Sequence, residues 1–263
     1  MTAIPDGAVT GTAAGVPFVA LPPAGGRDRA PIIAAWHLTA APGSPAAMAA
    51  ALPLRQMRAW RVFLGLPGTG SRKTERPAIT DLLLDWYAPM IEQAAAEFPA
   101  ALAALREQLK ADHGPVAVMG GSAGGHVALL VLTGGQVPVA AAALVNPAVR
   151  AESVVAVNEG PDFTYQWSEE ARTRAATLDM VAAAAGCQVP LLLVTGEHEY
   201  PEFRPDQDAL LAAFGGPARH VTIPGMAHGF AEPPGIEPAP QGPHAAAAEH
   251  AISDWLSTHF TGG

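Results

Sequence analysis

Four short runs of this chain are apolar without a break: IIAAW at 32–36, VFLGL at 62–66, VAVM at 116–119 and LLLVT at 191–195. A strand with one wet face alternates apolar and polar residues, whereas a strand covered on both faces does not. The unbroken runs therefore predict a mostly parallel sheet with helices on both faces. They lie within the candidate strands Ile32–His37, Arg61–Leu66, Val116–Gly120 and Leu191–Gly196, to which Val16–Leu21, Ala141–Asn146 and His220–Ile223 are added. Helical patterns fall between them. Leu102, Leu105 and Leu109 recur three and four apart, with Arg106 and Lys110 turned to water. Pro99 is expected at the first turn of that helix, where its missing N–H would be unpaired anyway. Ile252, Trp255, Leu256 and Phe260 form the apolar stripe of a last helix. Alternating strand and helix make the fold class α/β.

The 263 residues suit one α/β domain over 1–263, because such folds run to ~250 residues as a single unit. At 49% hydrophobic and 15% charged, the chain has ample material for a core. Residues 148–187 break the rhythm: they carry a helical stretch, Ser168–Ala184, but no strand. They are expected to form a small lid-like insertion over one end of the sheet. The proline-rich stretch Glu232–Pro243 reads as a loop. The net charge of −9 argues against nucleic acid, whose phosphates need a basic surface, and against anionic lipid. No apolar run reaches the ~20 residues of a membrane span, and the N-terminal residues lack a basic stretch followed by an apolar one. The single cysteine, Cys187, permits no intrachain disulfide and reads as a small buried residue. A cytoplasmic location is expected.

Function is sharpest at 116–130, VAVMGGSAGGHVALL. A strand run ends at Gly120, and a helical pattern begins near Gly124. Between them Gly120-Gly121-Ser122-Ala123-Gly124 fits G-x-S-x-G, a nucleophile elbow. A serine on so tight a strand-to-helix turn projects its hydroxyl from the sheet edge, and the small flanking residues let strand and helix come close. No G-K-[ST] follows, which disfavours a phosphate loop.

A serine hydroxyl is a poor nucleophile without a base oriented by an acid. The chain offers both in order, each after a strand run: Glu199 in VTGEHEYP at 194–201, then His228 in GMAHGF at 225–230. Glu197 and Asp206 are the other acids in reach of this position. His126, on the helix after the elbow, is expected to pack or face water, and His198 to be solvated. No H-x-x-x-H or H-E-x-x-H pair occurs, so no metal is expected.

With these three motifs in order, the chain after about residue 15 resembles the α/β-hydrolase superfamily, in particular its dienelactone-hydrolase-like and prolyl-oligopeptidase-like serine esterases. The resemblance implies a catalytic triad of Ser122, Glu199 and His228 and no cofactor. Two departures stand out. The acid is Glu199 where Asp is usual, and the nucleophile is Ser122 where dienelactone hydrolases proper use Cys.

Two N–H donors are expected to stabilise the oxyanion. One is Ala123, directly after the nucleophile. The other belongs to the loop after an early strand, at Leu38 with Thr39 behind it. The His-Gly motif usual there is absent, since His37 is followed by Leu38. Tyr165 and Trp167, in the insertion, are candidates for an apolar substrate wall or for fastening the insertion to the body. Arg72, Lys73 and Arg76 form a small basic cluster, read as a solvated loop. The expected function is cleavage of a small or medium carboxylic ester through an acyl-enzyme, with a small-molecule ester as the substrate and with neither nucleic acid nor membrane as a partner. A serine peptidase, an acyltransferase and a non-catalytic binding protein on the same fold are the alternatives.

Overall fold

A computed structural model of the chain describes residues 5, 7–26, 29–73 and 79–260. In chain order the elements are β1 (Val9–Ala13), β2 (Val16–Leu21), β3 (Ile32–Trp36), α1 (Pro45–Ala51), β4 (Trp60–Leu64), a π-helical turn (Leu82–Tyr87), α2 (Ala88–Gln108), β5 (Val116–Gly121), α3 (Ala123–Gly134) and β6 (Val139–Val145). They continue with α4 (Ala151–Asn158), α5 (Glu169–Thr177), α6 (Met180–Ala183), β7 (Leu191–His198), α7 (Arg204–Ala213), β8 (Ala218–Ala227) and α8 (Pro243–His259).

All eight strands join one sheet in the order β1-β2-β4-β3-β5-β6-β7-β8. The β1–β2 and β2–β4 pairs are antiparallel and the others parallel. This is the α/β-hydrolase fold. The unbroken apolar runs are explained by two cores. Ile32, Ala34 and Trp36 of β3 face the core of α2 and α3, while Ile33 and Ala35 face that of α1 and α8. Alternate residues of β5, β6 and β7 divide in the same way. Trp36 meets Phe98 of α2 edge to face, with ring centroids 4.9 Å apart.

Two expectations need correction. Pro99 lies inside α2, not at its start. The apolar face extends upstream through Ile91, Ala94 and Phe98, and Pro89 takes the first-turn position. The stretch Ser168–Ala184 is not one helix. Asp179 accepts the Val181 and Ala182 N–H groups and starts α6, so the chain breaks after Thr177. The 148–187 segment does supply three helices and no named strand. Its Val154, Val155, Tyr165, Ala171, Leu178 and Met180 are buried in the same core as α2 and α3. Among the described residues, no helix is long and apolar enough to cross a membrane.

Candidate active site

The site is built where β5, β6, β7 and β8 end. Ser122 separates β5 from α3 with φ 51° and ψ −121°, a left-handed conformation that costs a non-glycine residue free energy. The turn is held by backbone bonds. The Ser122 N–H points at the Val145 and Asn146 carbonyls (3.2 Å each), and its carbonyl accepts from His126 and Ala148 (3.1 Å each). The glycines on either side are steric necessities. A Cβ on Gly120 would lie 2.1 Å from the Gly124 carbonyl oxygen, and one on Gly124 would lie 2.3 Å from that of Trp36.

His228 follows β8 directly. Its Nε2 is 2.9 Å from Ser122 Oγ and its Nδ1 is 2.8 Å from Glu199 Oε1. A carboxylate only accepts, so Nδ1 carries the proton and Nε2 is left to accept from the serine hydroxyl. Glu199 Oε1 also accepts the Tyr200 N–H at 2.6 Å. All three side chains are buried. The Tyr200 ring lies against the imidazole at 4.6 Å with a 34° tilt, and Phe203 meets it edge-on at 5.4 Å. The other acids are engaged elsewhere. Glu197 is exposed and accepts the Gly225 N–H (2.8 Å). Asp206 pairs with Arg150 (2.5 Å) and accepts from Ser153.

This geometry stands inside a stretch that can be recognised from sequence. A model of the prolyl oligopeptidase family matches residues 85–233, more than half of the chain, with Ser122, Glu199 and His228 all within it. The chain belongs to the prolyl oligopeptidase family. It is a serine hydrolase. No curated protein matches it. Several solved structures share the fold. Est1E from Butyrivibrio proteoclasticus, with ferulic acid bound, is 14% identical with a TM-score of 0.65, covering 96% of this chain and 99% of its own. An acetyl xylan esterase from Paenibacillus sp. R4 is 16% identical with a TM-score of 0.71, covering 96% and 83%. A puromycin-hydrolyzing peptidase from Mycobacterium tuberculosis is 17% identical with a TM-score of 0.68; the match spans 96% of this chain but 39% of that one.

In this prolyl oligopeptidase family member the loop expected to hold the oxyanion carries its Leu38 amide differently from expectation. Ala123 heads α3, where first-turn N–H groups have no intrahelical carbonyl. The Leu38 N–H, however, is committed to the Pro42 carbonyl (3.1 Å), and the Leu38 side chain is fully buried against Gly121. Leu38 is thus a core residue whose amide closes the 38–42 turn. Thr39 comes next, is exposed, and its N–H meets no carbonyl of the described residues. His37 anchors this loop. Its Nδ1–H donates to the Leu38 carbonyl (2.6 Å), while Nε2 accepts the Leu66 N–H (3.2 Å). Burial lowers its pKa from 6.5 to about 4, and both bonds suit the neutral ring.

Tyr165 and Trp167 both make contacts that fasten the insertion to the body. The Tyr165 hydroxyl donates to Asp81 Oδ1 (2.7 Å), the same oxygen that caps the π-helical turn through the Leu83 and Leu84 N–H groups. Trp167 packs edge-on against Tyr165 at 4.9 Å, with Arg172 over its own ring. His126 is buried and hydrogen-bonded through Nδ1 to the Tyr87 hydroxyl (2.8 Å). His198 is exposed. Cys187 is half-buried at the core's margin, not fully inside it. Arg72 is paired with Glu97 (2.5 and 2.8 Å), and Arg76 lies outside the described residues. Among the described residues, no group of three or more His, Cys, Asp or Glu side chains is placed to hold a metal ion.

One residue with no assigned role in the sequence reading stands at the centre of the site. Asn146, buried at the end of β6, bonds to the loops that carry all three candidate catalytic residues.

Proposed function

We propose that this chain hydrolyses a carboxylic ester of small or medium size through an acyl-enzyme. The observation that carries the reading is the continuous hydrogen-bonded chain from Glu199 Oε1 through both nitrogens of His228 to Ser122 Oγ. In this reading Ser122 attacks the carbonyl carbon, and His228 Nε2 takes the hydroxyl proton. Glu199 keeps the imidazole in its productive tautomer and stabilises the imidazolium. The N–H groups of Ala123 and Thr39 receive the oxyanion. Collapse of the tetrahedral adduct expels the alcohol, protonated by His228. Water, deprotonated by His228, then cleaves the acyl-Ser122 ester. The chain's own residues supply every proton transfer, so the scheme invokes no cofactor. A cytoplasmic location is part of the same proposal.

Ester cleavage is favoured by the fold shared with Est1E over nearly the whole of both chains, and with an acetyl xylan esterase over 96% of this chain and 83% of that one. A peptidase is the second reading, favoured by family membership and by the puromycin-hydrolyzing relative in fold. The two separate on matched p-nitrophenyl esters and p-nitroanilides of the same acyl groups. Ester cleavage at least ~100-fold faster in kcat/KM, beyond what intrinsic reactivity supplies, supports the first. Comparable turnover of an anilide or a short peptide overturns it in favour of the second.

A further inference from the structure

We infer that Asn146 is the positioning residue that sets the three catalytic loops against one another, a role that rests on the catalytic reading above. It spends its hydrogen-bonding capacity on them. Its backbone carbonyl lies 3.2 Å from the Ser122 N–H, and its own N–H donates to the Val194 carbonyl (2.8 Å). Its side-chain oxygen accepts the Gly196 N–H (2.7 Å) at the root of the Glu199 loop. Its Nδ2 donates to the carbonyls of Ala227 and His228, at 2.9 Å each. One residue thus ties the serine turn, through its backbone carbonyl, to the acid loop and the base, through its side-chain amide.

The orientation of that amide is dictated by its partners. Rotated by half a turn, it would set an NH2 against the Gly196 N–H and an oxygen against two carbonyls. The backbone also explains the residue type. Asn146 sits at φ 45°, a left-handed conformation that asparagine tolerates better than most side chains. The parallel ladder in this region leaves a gap for it. Regular pairing of β6 with β7 ends at Val145–Val194, and the β7–β8 register shifts between Gly196 and His198. The Asn146 amide spans the place where the ladder stops.

Two variants separate positioning from mere stabilisation. N146G removes the amide and keeps the backbone conformation. N146D keeps the size and the acceptor for Gly196 but turns the donor to the His228 carbonyl into a repelling carboxylate. Each is measured as kcat per active site, with sites titrated by a fluorophosphonate, alongside KM and melting temperature. The expected result is a fall in kcat per titrated site on the order of 10- to 100-fold, since displacing a reacting group by about 1 Å costs that much. KM should change little, and N146D should be the worse variant. If both variants label at Ser122 and keep kcat per titrated site within about twofold, losing only melting temperature, the residue is structural and the inference is overturned while the catalytic reading stands. If the parent protein takes no label at Ser122, the catalytic reading fails and this inference with it.

Discussion

Glu199 reaches His228 through one oxygen. Oε1 lies 2.8 Å from His228 Nδ1 and also receives the Tyr200 N–H at 2.6 Å, whereas Oε2 is buried and meets no hydrogen-bond partner among the described residues. The neighbouring Tyr200 N–H therefore helps to point the carboxylate at the imidazole.

Replacing that carboxylate should be costly. Glu199→Gln keeps the shape but removes the charge facing the imidazolium, so kcat should fall by about 10²–10⁴. Glu197→Gln should change kcat by less than about tenfold, because an exposed carboxylate is screened. Asp206→Asn should lower stability through Arg150 and leave kcat within the same bound. Steady-state kinetics on one p-nitrophenyl ester reads all three, and a large loss in Glu197→Gln alone would reassign the acid.

The oxyanion loop makes a prediction that separates two adjacent amides. Thr39→Pro removes an N–H that meets no carbonyl of the described residues, and kcat should fall by about 10²–10³. Thr39→Ala keeps that N–H and should stay near the parent rate. Equal losses in both variants would mean that the threonine side chain, not its amide, matters.

Tyr165 tests the role of the insertion. Tyr165→Phe deletes the hydrogen bond to Asp81 and should cost about 1.5–3 kcal/mol of stability, as bonds to charged groups do. Its kinetic constants across acyl lengths should not move. An altered acyl preference at unchanged stability would mark Tyr165 as a substrate wall.

Two buried histidines give stability a pH dependence. Burial lowers the pKa of His37 from 6.5 to about 4 and that of His126 from 6.5 to about 3. As pH falls below 6.5 the unfolded chain takes up these protons first, so stability drops, and it continues to drop until each folded pKa is reached. Each group contributes a slope of up to about 1.4 kcal/mol per pH unit. Urea midpoints between pH 7 and pH 4.5 should fall, and His126→Gln should show the shallower fall. A parent protein equally stable across that range would contradict the assignment.

What could be read from the chain, and what could not, follows from where the signal lies. Strands buried on both faces announce themselves as unbroken apolar runs, so β3 and β5 fall within a residue of their expected bounds. β1 was missed because VTGTA is an exposed edge strand without that signal. The alanine-rich α1 was missed because alanine gives no periodic contrast. The order of Ser122, Glu199 and His228 was legible because each follows a strand run, and the structure brings the three together. Leu38 was chosen by counting along a loop, and counting cannot see that the Pro42 carbonyl takes its amide. Asn146 left one clue, a lone polar residue ending an apolar strand. Its partners come from 122, 194–196 and 227–228, which only the folded sheet makes neighbours.

The central claim is that Ser122 is the nucleophile activated by His228. The most direct measurement is fluorophosphonate labelling of the parent protein and of Ser122→Ala, followed by peptide mapping, with ester turnover measured alongside. One label is expected, on the peptide carrying Ser122, lost in Ser122→Ala together with a fall in kcat of about 10⁴ or more while the fold is retained. A label on another residue, or ester turnover in Ser122→Ala within tenfold of the parent, would contradict it.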